Sequence, residues 1–147
     1  MDIDFVKIIG ISFHDICLDN DSYTIEKNDF ELELEEGLPV RWFVKSLDKT
    51  YEMILNKDMI IEVIFFYPSI EGKFPILDLN TEIGKTEIRE RMGIPDRESM
   101  PSNMPILGFT GGFDRYDKEL ISYHFEYLNE EQTKLKKITL MDVKTAP

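Results

Sequence analysis

Cysteine occurs once, at Cys17, and histidine only twice, at His14 and His124. A lone thiol cannot close an internal disulfide, so no disulfide framework holds this chain. Two histidines at unrelated positions give no metal-ligand spacing. Bases are few: 17 Lys and Arg stand against 29 Asp and Glu, for a net charge of −12. A surface of that sign repels both nucleic acid and anionic membranes, so neither is an expected partner. Long apolar runs are missing as well. The longest, Met59-Ile60-Ile61-Glu62-Val63-Ile64-Phe65-Phe66-Tyr67, is too short to span a bilayer and carries Glu62 inside it. The start, Met1-Asp2-Ile3-Asp4-Phe5, has neither the basic region nor the apolar run of a signal peptide. These absences together lead to the expectation of a cytoplasmic protein.

What is present is ample for a core. Of 147 residues, 42% are hydrophobic and 12% aromatic, which argues for one folded domain, 1–147, rather than disorder. The acidity is concentrated. Asp15, Asp19, Asp21, Glu26, Asp29, Glu31, Glu33, Glu35 and Glu36 stand against Lys27 alone, a net −8 of the chain's −12. Within that stretch Phe30-Glu31-Leu32-Glu33-Leu34-Glu35 alternates strictly. On a strand, Phe30, Leu32 and Leu34 would be buried while the three glutamates form an outward row about 6.8 Å apart. Such a row is either a solvated or aggregation-protected strand face, or a docking surface for a basic partner.

Taken in order, residues 2–9 read as a short helix ended by Gly10. Ser12-Phe13-His14-Asp15 reads as an N-cap opening a second helix to about Leu18, and Asp19-Asn20-Asp21-Ser22 as a loop. The acidic strand, then Val40 to Val44, Tyr51 to Leu55 and Met59 to Tyr67, make a four-stranded antiparallel meander. Its last strand is expected to be central and buried. Residues 68–80 connect, and residues 86–92 form a helix capped by Thr86 and closed by Gly93. Residues 95–112 read as a long loop. Ile121, Tyr123, Phe125 and Tyr127 alternate with Ser122, His124 and Glu126, and a last strand follows from Lys134 to Met141. The predicted class is α+β: a single antiparallel β-sheet, meander plus closing hairpin, with a few short helices packed on one side.

No catalytic constellation emerges from these pieces. His14 and Cys17 are neighbours at i and i+3, but Asp15, Asp19 and Asp21 oppose the electropositive setting that a reactive thiol needs. A packed or inert thiol is expected. Asp19-Asn20-Asp21 opens like a calcium loop, yet Thr24 and Phe30 occupy the positions where glycine and glutamate are required. Gly108-Phe109-Thr110-Gly111-Gly112 lacks the lysine and helix of a phosphate loop. Gly111-Gly112-Phe113-Asp114-Arg115-Tyr116-Asp117 has the glycines, aromatics and charges of a binding loop or of a hairpin entry.

The order of these motifs resembles the small immunity proteins that bacteria encode beside pyocin-like and contact-dependent toxins. The resemblance rests on the segment ending in Gly10, Ser12-Phe13-His14-Asp15-Ile16, Glu36-Gly37-Leu38, Met92-Gly93-Ile94-Pro95, Gly111-Gly112-Phe113-Asp114-Arg115-Tyr116 and the closing Lys137-Ile138-Thr139-Leu140. It implies a cytoplasmic protein without enzymatic activity or cofactor that neutralises a cognate toxin domain. An acidic inhibitor suits a basic toxin, most simply a nuclease. Binding residues vary within such families, so the partner-binding set is taken from this chain's own charges and loop: Asp19, Asp21, Glu31, Glu33, Glu35, Glu36, Asp114, Arg115 and Tyr116. Two other classes stay open. One is an acidic chaperone or adaptor, the other a small enzyme with a loop-built site around His124 and Asp114 or Glu126.

Overall fold

Period-two alternation of apolar and polar residues dominates the sequence, and strands dominate the fold. A computed structural model describes residues 3–28 and 40–147. It is α+β. The strands are β1 (Tyr23–Lys27), β2 (Trp42–Ser46), β3 (Tyr51–Leu55), β4 (Ile61–Phe66), β5 (Arg97–Ser99), β6 (Ser102–Met104), β7 (Gly108–Thr110), β8 (Phe113–Lys118), β9 (Ile121–Tyr127) and β10 (Leu135–Asp142), with one helix, α1 (Lys85–Met92). Among the described residues, eight strands form an antiparallel sheet in the order β1-β2-β3-β4-β10-β9-β8-β5, while β6 and β7 pair only with each other. Two meanders thus lie side by side, joined where β10 pairs with β4.

One face of the sheet carries the core. Val44, Met53, Ile64 and Leu140 stand opposite one another strand by strand and are fully buried. A neighbouring row runs Tyr51, Phe66, Ile138, Phe125 and then Asp114. The covering layer comes from short helical segments and the 68–84 connection. Phe5, in a 3-10 turn at Phe5–Lys7, packs edge-on against Phe66 and beside Tyr51 at 5.0 and 5.4 Å between ring centres. Phe13 meets Tyr23 edge-on, and Phe74, Ile76, Leu79, Ile83 and Ile88 of α1 complete the cluster. The expected meander of β2, β3 and β4 is present, and β4 lies inside the sheet with Ile61, Ile64 and Phe66 buried.

Several expectations are corrected. The first two helices shorten to 3-10 turns, Phe5–Lys7 and Phe13–Asp15. Gly10, at φ +85°, turns the chain so that its N–H reaches the Ile61 carbonyl at 2.7 Å. Ser12 caps as expected, accepting from His14 N–H at 3.3 Å, but Ile16 is already extended. The neighbour of β2 is β1, with Ile25 opposite Val44. The acidic strand 30–35 lies outside the described residues. Helix α1 starts at Lys85 with Gly84, not Thr86, at its N-cap. Its exposed N–H at Lys85 is satisfied by the Gln132 carbonyl at 2.8 Å, so a tertiary bond replaces the side-chain cap. The expected loop 95–112 holds β5, β6 and β7, and the segment after it is strand β8.

Candidate functional site: an acidic edge and an uncharged ribbon

Asp15, Asp19, Asp21 and Glu26 are all exposed, on the segment that leads into and forms β1, the outermost of the described strands on its side of the sheet. Local hydrogen bonds fix the backbone there. Asp19 accepts from Asp21 N–H at 3.3 Å, and Ser22 Oγ donates to the Asp19 carbonyl at 2.6 Å, closing a 3-10 turn at Asn20–Ser22. None of the four carboxylates forms an ion pair with another described residue, although nine such pairs occur elsewhere. Glu31, Glu33, Glu35 and Glu36 lie outside the described residues. Cys17 is exposed rather than packed.

Asp114, Arg115 and Tyr116 are brought together by sequence but not by orientation. They sit on strand β8, not in a loop, so alternate side chains point to opposite faces of the sheet. Asp114 has no exposed surface. Its carboxylate is gripped by Arg89 of α1, Nε to Oδ2 at 3.0 Å and Nη2 to Oδ1 at 2.8 Å, and accepts from the Tyr127 hydroxyl at 2.9 Å. Arg89 also donates to Glu98 of β5. Both carboxylates hold the guanidinium proton more firmly. Burial, then the bond to Asp114 and its charge, pushes the Tyr127 hydroxyl well above the ordinary tyrosine range. Tyr116 is buried and donates to the Gly93 carbonyl at the end of α1 at 2.9 Å; burial, then the Asp114 charge, raises its pKa to about 12. A docking partner cannot reach the Asp114 or Tyr116 side chains in this fold. They clamp the helix to the sheet, and this corrects their assignment as partner-binding groups.

Arg115 points to the other face and is nearly buried too. It pairs with Asp117 at 3.0 Å, and with Arg97 it donates to the Pro147 carbonyl oxygen. His124 stands across from Arg115 on the same face, its ring 4.2 Å from that of Phe113. Asp114 is on the opposite face, so the His124–Asp114 pairing considered for an enzyme is not formed. Among the described residues, no group of three or more His, Cys, Asp or Glu could hold a metal ion, and no helix is long and apolar enough to cross a membrane.

Comparison with protein-family models, curated proteins and solved structures gives no match. The surface itself must carry the functional argument.

A second feature was not read from the sequence. Residues 99–113 contain no charged side chain, the longest such run in a chain that is 31% charged. They run from the last residue of β5 to the first of β8 and include the β6–β7 ribbon, whose Met104, Ile106, Leu107 and Phe109 are exposed. The base is held firmly. Gln132, buried, donates to the Gly111 carbonyl at 2.9 Å and the Ser99 carbonyl at 3.4 Å, and Lys85 donates to its Oε1 at 2.9 Å. A Cβ on Gly111 would collide with the Tyr127 carbonyl, and one on Gly112 with the Ser99 carbonyl. The glycine pair therefore serves close backbone packing at the ribbon's root. Among the described strands of the sheet, β5, which the ribbon follows, stands at one end of the order and the acidic β1 at the other. Seven strand spacings separate them, roughly 30 Å.

Proposed function

We propose that this chain is a protein-binding inhibitor of the immunity type, which neutralises a basic toxin domain, most simply a nuclease, by covering its active or substrate-binding surface. The observation that carries this reading is the acidic edge. Four carboxylates are exposed there, Asp15, Asp19 and Asp21 on or capping short 3-10 turns and Glu26 on β1, and none is paired with a described cation. A basic partner would supply the missing counter-charge, and complementary fields would speed encounter by about 10–10³-fold. The acidic stretch continues in sequence through Glu31, Glu33, Glu35 and Glu36, and these belong to the same proposed contact. In this reading the protein has no catalytic role and works in the cytoplasm beside its toxin.

The test is capture of the partner from native lysate, followed by calorimetric titration of the purified pair at rising salt. A single folded basic domain, bound at one per chain, is expected, with affinity falling at least about tenfold between low and high ionic strength. The combined variant Asp15→Asn, Asp19→Asn, Asp21→Asn, Glu26→Gln should lose affinity and much of that salt dependence. Asparagine keeps the capping capacity of aspartate, so its folding should be unchanged. Several unrelated, unfolded clients would instead indicate a chaperone or adaptor.

A further inference from the structure

A cleft of about 440 Å³ opens where the N-terminal 3-10 turns meet the β2–β3 hairpin. Phe5, Leu18 and Pro75 give it an apolar wall. Its polar side is built of side-chain oxygens from Ser22, Ser46, Asp48 and Thr50. Leu18 and Ser22 bracket the turn that carries Asp19 and Asp21, so the cleft lies within the acidic segment.

The internal hydrogen bonds decide which ligand such a lining accepts. Ser22 Oγ donates to the Asp19 carbonyl at 2.6 Å, Ser46 Oγ to the Tyr51 carbonyl at 3.2 Å, and Thr50 Oγ1 to Asp48 Oδ1 at 2.7 Å. Each of these hydroxyl hydrogens is spent on an acceptor of the chain itself, so toward a ligand the three groups can only accept. Asp48 supplies the charge. It is exposed, the Thr50 hydroxyl bond lowers its pKa, and it forms no ion pair with a described residue. Tyr51 adds a hydroxyl whose pKa is raised by burial and then by the Asp48 charge. An anion in the cleft would meet the same repulsion. No described lining residue is basic. A cation on an apolar stem suits both walls, as the side chains of lysine and arginine do.

We propose that the cleft receives one lysine or arginine side chain of the basic partner, which rests on the inhibitor reading above. The stem lies along Phe5, Leu18 and Pro75, and the cationic head donates to Asp48. The surrounding acids then steer encounter by long-range attraction, while the inserted side chain anchors the contact and fixes its register.

The probes are n-butylammonium and n-butylguanidinium, followed by amide chemical shifts of the full chain, with n-butanol and butyrate for comparison. Both cations should shift the amides of Ser22, Asp48 and Thr50, with Kd on the order of 1–10 mM; n-butanol and butyrate should not. Asp48→Asn keeps the Oδ1 acceptor that Thr50 uses, so its fold should be unchanged while cation binding weakens severalfold. Asp58→Asn, the same charge change at an exposed acid of the β3–β4 turn, should have no effect. In the complex with the basic domain, Asp48→Asn should lower affinity about tenfold. Cation shifts elsewhere or absent, an equal response to n-butanol, or cation binding unchanged in Asp48→Asn overturns the proposal. So does a partner affinity indifferent to Asp48→Asn in a complex that still weakens with salt, and the inhibitor reading then stands. Cation binding in the cleft with no basic domain captured sinks that reading instead, and with it the partner as the source of the cation.

Discussion

At the scale of single residues, the buried Asp114 organises one end of the molecule. A carboxylate taken from water is tolerated only when its oxygens are engaged, and here Arg89 and Tyr127 engage both. Arg89→Met would leave the charge in place without its cation. Because Arg89 is partly exposed, the expected loss is about 2–4 kcal/mol rather than the full value for a buried pair. Tyr127→Phe removes one hydrogen bond and should cost about 1–2 kcal/mol. Both groups act on Asp114 Oδ2, so urea denaturation of the double variant should depart from additivity. His124 offers a test by pH. Burial lowers its pKa from the ordinary 6.5, with Lys137 and Arg115 acting the same way and Glu126 opposing. The unfolded chain therefore takes up this proton at higher pH than the folded one. The His124 contribution is complete above pH 6.5 and is lost as pH falls through the folded-state pKa. Thermal melting of the protein and of His124→Gln across that window should show a smaller decline in the variant.

At the scale of elements, local signals succeeded where turns were built from their own residues. Ser46 Oγ accepts from Thr50 and Tyr51 N–H at 3.0 Å each, and Asp48 Oδ1 accepts from the Thr50 hydroxyl at 2.7 Å, so the β2–β3 turn is self-contained. Asn129 likewise closes the β9–β10 turn through Thr133 and Lys134 N–H. Both fall in the gaps between strands read from alternation, after Val44 and before Tyr51, and after Tyr127 and before Lys134. Helix α1 was legible except at its start, where Gly84 lies too close to Thr133 to admit a side chain: a Cβ there would sit 2.6 Å from Thr133 Cα. The glycines at 111 and 112 read as part of a binding loop or hairpin entry, and in the fold they permit tight packing. Gly112→Ala combines a steric collision with a left-handed backbone at φ +78° and should cost about 2–4 kcal/mol in urea denaturation. The accompanying loss of ribbon order should appear as faster amide exchange in residues 102–110.

At the scale of the whole molecule, the four unpaired acids and the uncharged ribbon lie towards opposite ends of the described strand order. The proposed acidic contact weakens with salt. Composition and alternation alone determined the α+β class, β2, β3, β4, β9 and β10, and the acid-rich stretch, because burial on one sheet face imposes period two on the residues themselves. Only the tertiary structure decided that β10 enters the middle of the sheet, since pairing between distant strands leaves no local trace. It also decided which way Asp114, Arg115 and Tyr116 face. A run of polar and aromatic residues reads as a loop until the register with β9 and the approach of α1 bury it. The uncharged run 99–113 is visible in the sequence, but its exposure depends on β6 and β7 pairing with each other and with no third described strand.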